Sequence, residues 1–298
     1  MALSLGVVPS ALPVTYTAAA ANDEKIIISG ASGRLGRLTV KALLGKGVPA
    51  KNLILVSRTP EALQEYKKLG ADIRFGDLTK PESLPAAYAG GTRMLLISIG
   101  LGQGSRPNAH KRAVDAAKAA GVKQIAYTSW IDVGKGKPTG VTHDHLATEE
   151  ILRTSGVAWT FLRNSVYMDG AIPEAVAMLR DGKATVPADE YKVDYVTRED
   201  CAAAAAAVLT TVGHDNKAYD ITGPELIGVR EIAAAASAVT GKVIEVVPPA
   251  SSALATGGSD GSSPSVTSSA VAELTGRPAT SLNAFFAANK DRLGGDTP

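Results

Sequence analysis

Three glycines recur at intervals of three in Lys25-Ile26-Ile27-Ile28-Ser29-Gly30-Ala31-Ser32-Gly33-Arg34-Leu35-Gly36-Arg37. They follow a β-branched run and precede Leu35, Leu38, Ala42 and Leu43, which repeat with helical spacing. Glycines at a strand-to-helix turn let backbone N–H groups approach a pyrophosphate, and the helix N-terminus adds positive potential. The spacing is G-x-x-G-x-x-G rather than G-x-G-x-x-G, and a tight βα turn without a ligand is its plain alternative. Flanked by a buried strand and an amphipathic helix, the loop reads as a dinucleotide site. Gly30, Ser32, Gly33, Arg34, Leu35 and Gly36 are its candidate phosphate-binding residues.

The second strand, Leu53 to Ser57, ends at Ser57-Arg58 with no Asp or Glu among residues 56–58. A site selecting NAD places an acid there to bond the ribose 2′-hydroxyl; a guanidinium suits a 2′-phosphate. The expected cofactor is therefore NADPH, held by Arg58 with Arg34 joining it, the alternative being two solvated surface arginines. Asp77, just past strand three, is placed to meet the adenine or to cap the next helix with Thr79 and Pro81. Ile97 and Ser98 end strand four and Thr128 lies in strand five, completing the expected cofactor edge.

To line up these groups the chain needs a wound parallel sheet. Apolar runs at Ala71–Phe75, Met94–Ser98, Gln124–Ser129 and Ala158–Leu162 add four strands to the first two. Between them, residues following Thr59-Pro60-Glu61, then Pro81–Tyr88, Asn108–Ala120 and Leu146–Thr154 read as helices. This alternation predicts an α/β, Rossmann-type doubly wound parallel sheet with ligands outside the carboxyl ends of its strands. Later come helices at Arg198–Leu209 and Val229–Thr240 and short strands at Tyr219–Gly223 and Val243–Val247. Ser281–Leu293 reads as a last helix. They predict a small C-terminal α/β substrate lobe. The expected division is an extension at 1–22, a cofactor domain at 23–165, and a mixed segment at 166–298 that contributes to both sheet and lobe. Its serine- and glycine-rich run, 251–269, reads as a mobile loop.

Composition sets outer limits. The chain has 298 residues, 45% hydrophobic and 20% charged, with net charge +2 and no basic block, so nothing points to nucleic acid. Cys201, the single cysteine, excludes an internal disulfide and reads as a small buried residue in an alanine-rich helix. Residues 1–22 are fairly apolar but lack a basic start and are interrupted by Pro9 and Pro13. They read as an extension of a cytoplasmic protein that stays off membranes or, alternatively, as a trimmed export signal.

Four segments carry a family resemblance: Gly30–Gly36, Ala120–Ser129, His145-Leu146-Ala147-Thr148-Glu149 and Thr160-Phe161-Leu162-Arg163-Asn164. The chain resembles the NmrA-like group of atypical short-chain dehydrogenases from Lys25 to about Val247. The resemblance implies an NADPH-binding Rossmann domain and a small substrate lobe. It leaves the substrate open, since the group holds quinone reductases, dye reductases and redox sensors. Against reductases of this group the C-terminal region is expected to be shorter.

Typical short-chain dehydrogenases carry a Tyr-x-x-x-Lys pair, and no tyrosine here has a lysine four residues later. The resemblance places His145 at the tyrosine position, Glu149 at the lysine position and Ser129 at the usual serine position. A plain ketone needs an acid beside its developing alkoxide. A quinone yields a phenolate, whose conjugate acid has a pKa of about 10. Hydride transfer to a quinone or another electrophilic conjugated acceptor is therefore expected, with His145, whose pKa is ordinarily about 6.5, as proton or hydrogen-bond donor. The alternatives are a redox sensor without turnover and an alcohol dehydrogenase using His145. Trp130, Asn164, Tyr167 and Met168 are expected to line the acceptor pocket, or else only to pack the lobes together. His143, Asp144 and His145 lack helical ligand spacing, so no metal is expected. The expected partner is a small-molecule electron acceptor, and a homodimer stays open.

Overall fold

In the computed structural model the described residues are 24–100, 105–135, 140–188, 190–248 and 266–294. The elements run β1 (Ile26–Ser29), α1 (Arg34–Gly45), β2 (Leu53–Ser57), α2 (Gln64–Lys68), β3 (Asp72–Phe75), α3 (Leu84–Tyr88), β4 (Arg93–Leu96) and α4 (Arg106–Ala119). There follow β5 (Gln124–Trp130), α5 (Gly140–Thr154), β6 (Ala158–Asn164), α6 (Ala171–Asp181), β7 (Lys183–Thr185) and α7 (Arg198–Thr210). The chain continues with β8 (Lys217–Ile221), α8 (Val229–Thr240), β9 (Glu245–Val247), α9 (Ala270–Thr275), α10 (Leu282–Ala288) and α11 (Lys290–Leu293).

Seven strands form one sheet in the order β3-β2-β1-β4-β5-β6-β8, every neighbouring pair parallel. All carboxyl ends therefore share one edge, as a Rossmann-type sheet requires. Strands β1 and β2 are buried throughout, which is why they read as unbroken apolar runs. The sheet gains one strand over the six expected, since β8 pairs with β6 from Thr160↔Lys217 to Asn164↔Ile221.

Side chains alternate across the sheet and build two cores. One face, with Ile28, Leu55, Ala126 and Leu162, packs against Leu35, Val40 and Leu43 of α1 and Ala202, Ala204, Ala205 and Ala206 of α7. Cys201 is buried there too. The other face, with Ile27, Ile125, Tyr127 and Phe161, packs under α3, α4 and α5. A third core joins α6, α8, α10 and α11 beside the small β7-β9 sheet and forms the C-terminal lobe. Met168 is fully buried in this third core.

Several local expectations change. The segment after Thr59 starts as a 3-10 turn, Pro60–Leu63, before α2, and the Thr59 hydroxyl turns toward Ser57 and Ser32. The last helix breaks at Asn289 into α10 and α11. Residues 251–265 of the expected loop, and 1–22, lie outside the described residues. Ser268, near the end of that run, is held instead, its N–H donating to Thr222 Oγ1 at 2.8 Å and its hydroxyl to the Asp220 carbonyl. Among the described residues, no helix is long and apolar enough to cross a membrane.

Candidate active site

At the β1–α1 turn, Gly30 has φ +94°, a conformation that side chains rarely adopt. Gly36 is needed for another reason: a Cβ there would lie 2.4 Å from the Gly30 carbonyl oxygen, so only a bare backbone lets the helix close on the turn. Leu35 is buried beneath it and serves the core. Helix α1 has no side-chain cap at Gly33, which leaves its first N–H groups available to an anion. The residues fit a dinucleotide.

A cavity of about 220 Å³ opens beside this turn, lined by Ser32, Gly33, Arg58, Asp77, Ile97 and Ser98 among others. At its mouth Ser57 donates to Ser32 Oγ at 2.7 Å, a hydroxyl cluster that sequence reading missed. Arg58 is exposed and makes no hydrogen bond or salt bridge to a described residue. Asp77 accepts from Thr79 N (2.9 Å) and Thr79 Oγ1 (2.7 Å), closing the turn after β3. Slight burial would raise its carboxyl, but those hydrogen bonds, with Arg58 and Lys80 nearby, hold it below the ordinary range. Arg34 does not join this group. Its side chain lines a separate cleft of about 670 Å³ with Arg198, Arg292 and Phe285.

Past Ser98 lies a second cavity on the same edge, about 330 Å³, lined by Ser98, Arg106, Thr128, Ser129, Trp130, Val141, His145, Asn164 and Tyr167. The sheet and α5 thus bring His145, Ser129, Trp130, Asn164 and Tyr167 together. Met168 is not among them; it faces the lobe core, one residue round from Tyr167. Thr128 Oγ1 accepts from Ser98 N at 2.9 Å and ties β4 to β5 at the junction of the two cavities.

His145, 4% exposed, makes one hydrogen bond to a described residue, between Nδ1 and the Tyr127 hydroxyl at 2.7 Å. The surrounding network bears on where its proton lies. Ile99 N–H donates to His110 Nε2 (3.2 Å), so His110 carries its proton on Nδ1, aimed at Thr148 Oγ1 (3.1 Å). Thr148 in turn donates to the Asp144 carbonyl (2.9 Å). Tyr127, 3.5 Å from that same His110 Nδ1, has two acceptors for its proton, His145 Nδ1 and Thr148. Burial first, and Arg106 second, pull the His145 pKa down to about 3. The ring is neutral at pH 7, and with Tyr127 as donor to Nδ1 its proton sits on Nε2. Of the two roles expected of His145, a neutral ring can fill that of hydrogen-bond donor.

Ser129 also departs from expectation. Its hydroxyl donates to Glu149 Oε1 at 2.7 Å. Arg163 donates to both Glu149 oxygens (2.9 and 2.8 Å) and Arg153 to Oε2 (2.8 Å). The proton of Ser129 is committed inside the protein, so it cannot polarise an acceptor. The position expected of the lysine holds a fully buried carboxylate saturated by four donors.

Two atoms near the second cavity are unsatisfied. Arg106 Nη1 and Asn164 Oδ1 are buried without a hydrogen-bond partner among the described residues. Arg106 escaped sequence reading because a single arginine before a proline at a helix start resembles any surface cation. His143, by contrast, is exposed and lies 3.7 Å from Asp144. Among the described residues, no three His, Cys, Asp or Glu side chains cluster to hold a metal.

Residues 30–212 match the family model described as NAD(P)H-binding. The chain belongs to this NAD(P)H-binding family. It is 36% identical over 219 residues to quinone oxidoreductase 2 of Escherichia coli, covering 74% of this chain and 76% of that one. It is 30% identical over 222 residues to an NAD(P)H azoreductase of Xenophilus azovorans, covering 74% and 76%. Among solved structures, the NADP(H) complex of Citrobacter sp. triphenylmethane reductase aligns with TM-score 0.78 and 31% identity, over 89% of this chain and 99% of that one. The kinship with NmrA-like reductases holds, and the protein is an NAD(P)H-dependent oxidoreductase.

Proposed function

We propose that this oxidoreductase uses NADPH to reduce quinones or similarly electrophilic conjugated acceptors. The observation that carries the reading is the neutral, Tyr127-oriented His145 at a cavity where Ser129 has no proton to give. Such a site offers a hydrogen bond but no strong acid. It suits acceptors whose reduced oxygen is a weak base, near pKa 10, and disfavours ketones, which form alkoxides. The same lack of an acid weighs against an alcohol dehydrogenase.

In this reading residues 23–165 hold the cofactor and parts of 166–298 close the acceptor pocket. The Gly30–Gly36 turn takes the pyrophosphate on bare N–H groups. Arg58, beside the Ser32–Ser57 hydroxyls, takes the 2′-phosphate, and Ile97, Ser98 and Thr128 line the path to the second cavity. When bound, the cofactor supplies two electrons and a proton as hydride. His145 Nε2–H orients the acceptor oxygen, Trp130, 6.4 Å from the His145 ring, forms a wall, and water completes the product with the second proton. Binding and orientation are the protein's share of the work.

The test is loss of nicotinamide absorbance on mixing the protein with NADPH or NADH and a panel of quinones and ketones. Turnover with quinones, not ketones, and preference for NADPH that Arg58→Ala lowers by about tenfold or more are expected. Tight cofactor binding without turnover on any quinone would reject the reading.

A further inference from the structure

The second cavity has one charged side chain in its lining among the described residues, and it is a cation. Arg106 opens α4 and is 6% exposed. Its Nε donates to the Ile99 carbonyl at 3.0 Å, which fixes the guanidinium plane. Its Nη1 is buried with no hydrogen-bond acceptor among the described residues; there the nearest carboxylate oxygen, Asp144 Oδ2, is 3.9 Å away. A buried guanidinium nitrogen left without an acceptor is uncommon and calls for a ligand or a role.

Asp144 offsets it only in part, from 3.9 Å and from outside the lining. Glu149 is saturated by Ser129, Arg153 and Arg163 and does not line the cavity. Tyr167 presents an aromatic ring, but the Arg198 guanidinium already sits 4.1 Å over it. Among the described residues no lining carboxylate is available to receive a cation, and of the two lining aromatic side chains Tyr167 already carries a guanidinium while Trp130 lies against the His145 ring at 6.4 Å. Across the cavity wall, Asn164 Oδ1 is the complementary orphan, an acceptor with nothing to accept.

We propose that Arg106 sets the charge of the acceptor this enzyme reduces: its guanidinium stabilises the negative oxygen formed on a neutral quinone-type acceptor and turns away cationic ones. The inference rests on the quinone-type reading above and deepens it. Reduction of a quinone by hydride takes up two electrons and one proton and leaves the hydroquinone monoanion, which water then protonates. That product carries one more negative charge than its substrate, and a fixed cation in the cavity wall favours its formation. A cationic dye reduced by hydride becomes neutral, so there the same arginine opposes binding and gives no help to the step.

The experiment compares wild type, Arg106→Gln and Arg106→Lys on 1,4-benzoquinone and on the cationic dye malachite green, with NADPH affinity measured by fluorescence as a check on folding. Wild type should prefer the quinone. Arg106→Gln should lower kcat on the quinone by about 100-fold, the scale for losing one donor to a developing oxyanion, and leave or raise turnover of the dye. Arg106→Lys, which keeps the charge, should recover at least about tenfold of the loss. A purely structural arginine would lower both activities together. An unchanged ratio of quinone to dye turnover in Arg106→Gln, or equal loss on both, overturns the proposal. A wild-type protein that oxidises NADPH with neither acceptor removes the quinone-type reading itself.

Discussion

Two hydrogen bonds of the same length sit side by side between strand β5 and helix α5. Tyr127 meets His145 at 2.7 Å, and Ser129 meets Glu149 at 2.7 Å. Tyr127 and Ser129 are two apart on the strand, and His145 and Glu149 are four apart on the helix, so each pair projects from the same face. One pair nevertheless ends in an unspent donor. His145 Nε2–H makes no hydrogen bond to a described residue and borders the cavity. The other is closed: the Glu149 carboxylate is ringed by Ser129, Arg163 and Arg153. A position inherited from a catalytic motif is therefore not enough to assign chemistry; what separates the pairs is whether any hydrogen-bonding capacity is left over for a ligand.

The closed pair should matter most for folding. Glu149→Gln leaves Arg163, held by two bonds to this carboxylate, partly buried without its anion. Breaking a buried ion pair from one side costs about 3–5 kcal/mol. Urea denaturation should show a loss on that scale, while the fraction that stays folded retains quinone turnover. A variant of unchanged stability but abolished turnover would reverse the comparison and make Glu149 the working member.

Acid should probe the open pair. Burial chiefly, then the mutual effect of the two rings for His110 and the charge of Arg106 for both, pull His110 and His145 down to about 3. In the unfolded chain both protonate near pH 6.5, so the unfolded state binds more protons between those limits. Stability is then fully expressed above about pH 6.5 and declines as pH falls toward 3, by at most roughly 2 kcal/mol per histidine at pH 5. His145→Gln should flatten the decline by about half of the histidine share. Turnover on a quinone should show no inflection near pH 6.5, since no imidazolium forms in the folded site. A clear inflection there, abolished by His145→Gln, would restore the imidazolium acid.

Turnover itself should fall with His145→Phe, by about 100-fold in kcat, while NADPH affinity changes little. Tyr127→Phe frees the His145 proton to move to Nδ1, and about a tenfold loss is expected from a ring that is no longer held in the productive tautomer. Unchanged turnover in His145→Phe rejects the donor assigned to it.

Much of this architecture could be read from the chain because buried parallel strands write themselves as apolar runs. Leu53–Ser57 matches β2 and Val229–Thr240 matches α8 to the residue. Strand β8 was recognised as a strand but not as the sheet's seventh, since its early residues are exposed at an edge and lack a two-sided apolar pattern. The site was legible where backbone geometry dictates residue type, at Gly30 and Gly36, and where a residue simply ends a strand, at Asn164. It was not legible where a polar side chain works by burial. Arg106, His110 and Arg163 look like surface residues in sequence, and only the fold reveals that α4 and α5 close over the first two. Arg34 and Met168 lie outside the two cavities for a simpler reason: each is adjacent to a lining residue, and one step along a turn redirects the side chain.

The smallest effect separates the two pairs most cleanly. Ser129→Ala removes one of the four donors around Glu149 and leaves the three from Arg163 and Arg153. Because the carboxylate stays paired, the cost should be that of a single hydrogen bond to a charged group, about 1.5–3 kcal/mol at most, and below the cost of Glu149→Gln. Ser129 lines the cavity but has no proton to offer it, so kcat on a quinone should change by no more than about threefold, under 1 kcal/mol of barrier. The two measurements pull in opposite directions for the rival role. A serine that polarises the acceptor would lower kcat by about 100-fold on removal while leaving stability nearly untouched. That pattern would place Ser129 beside His145 in the reaction and dissolve the distinction between an open pair and a closed one.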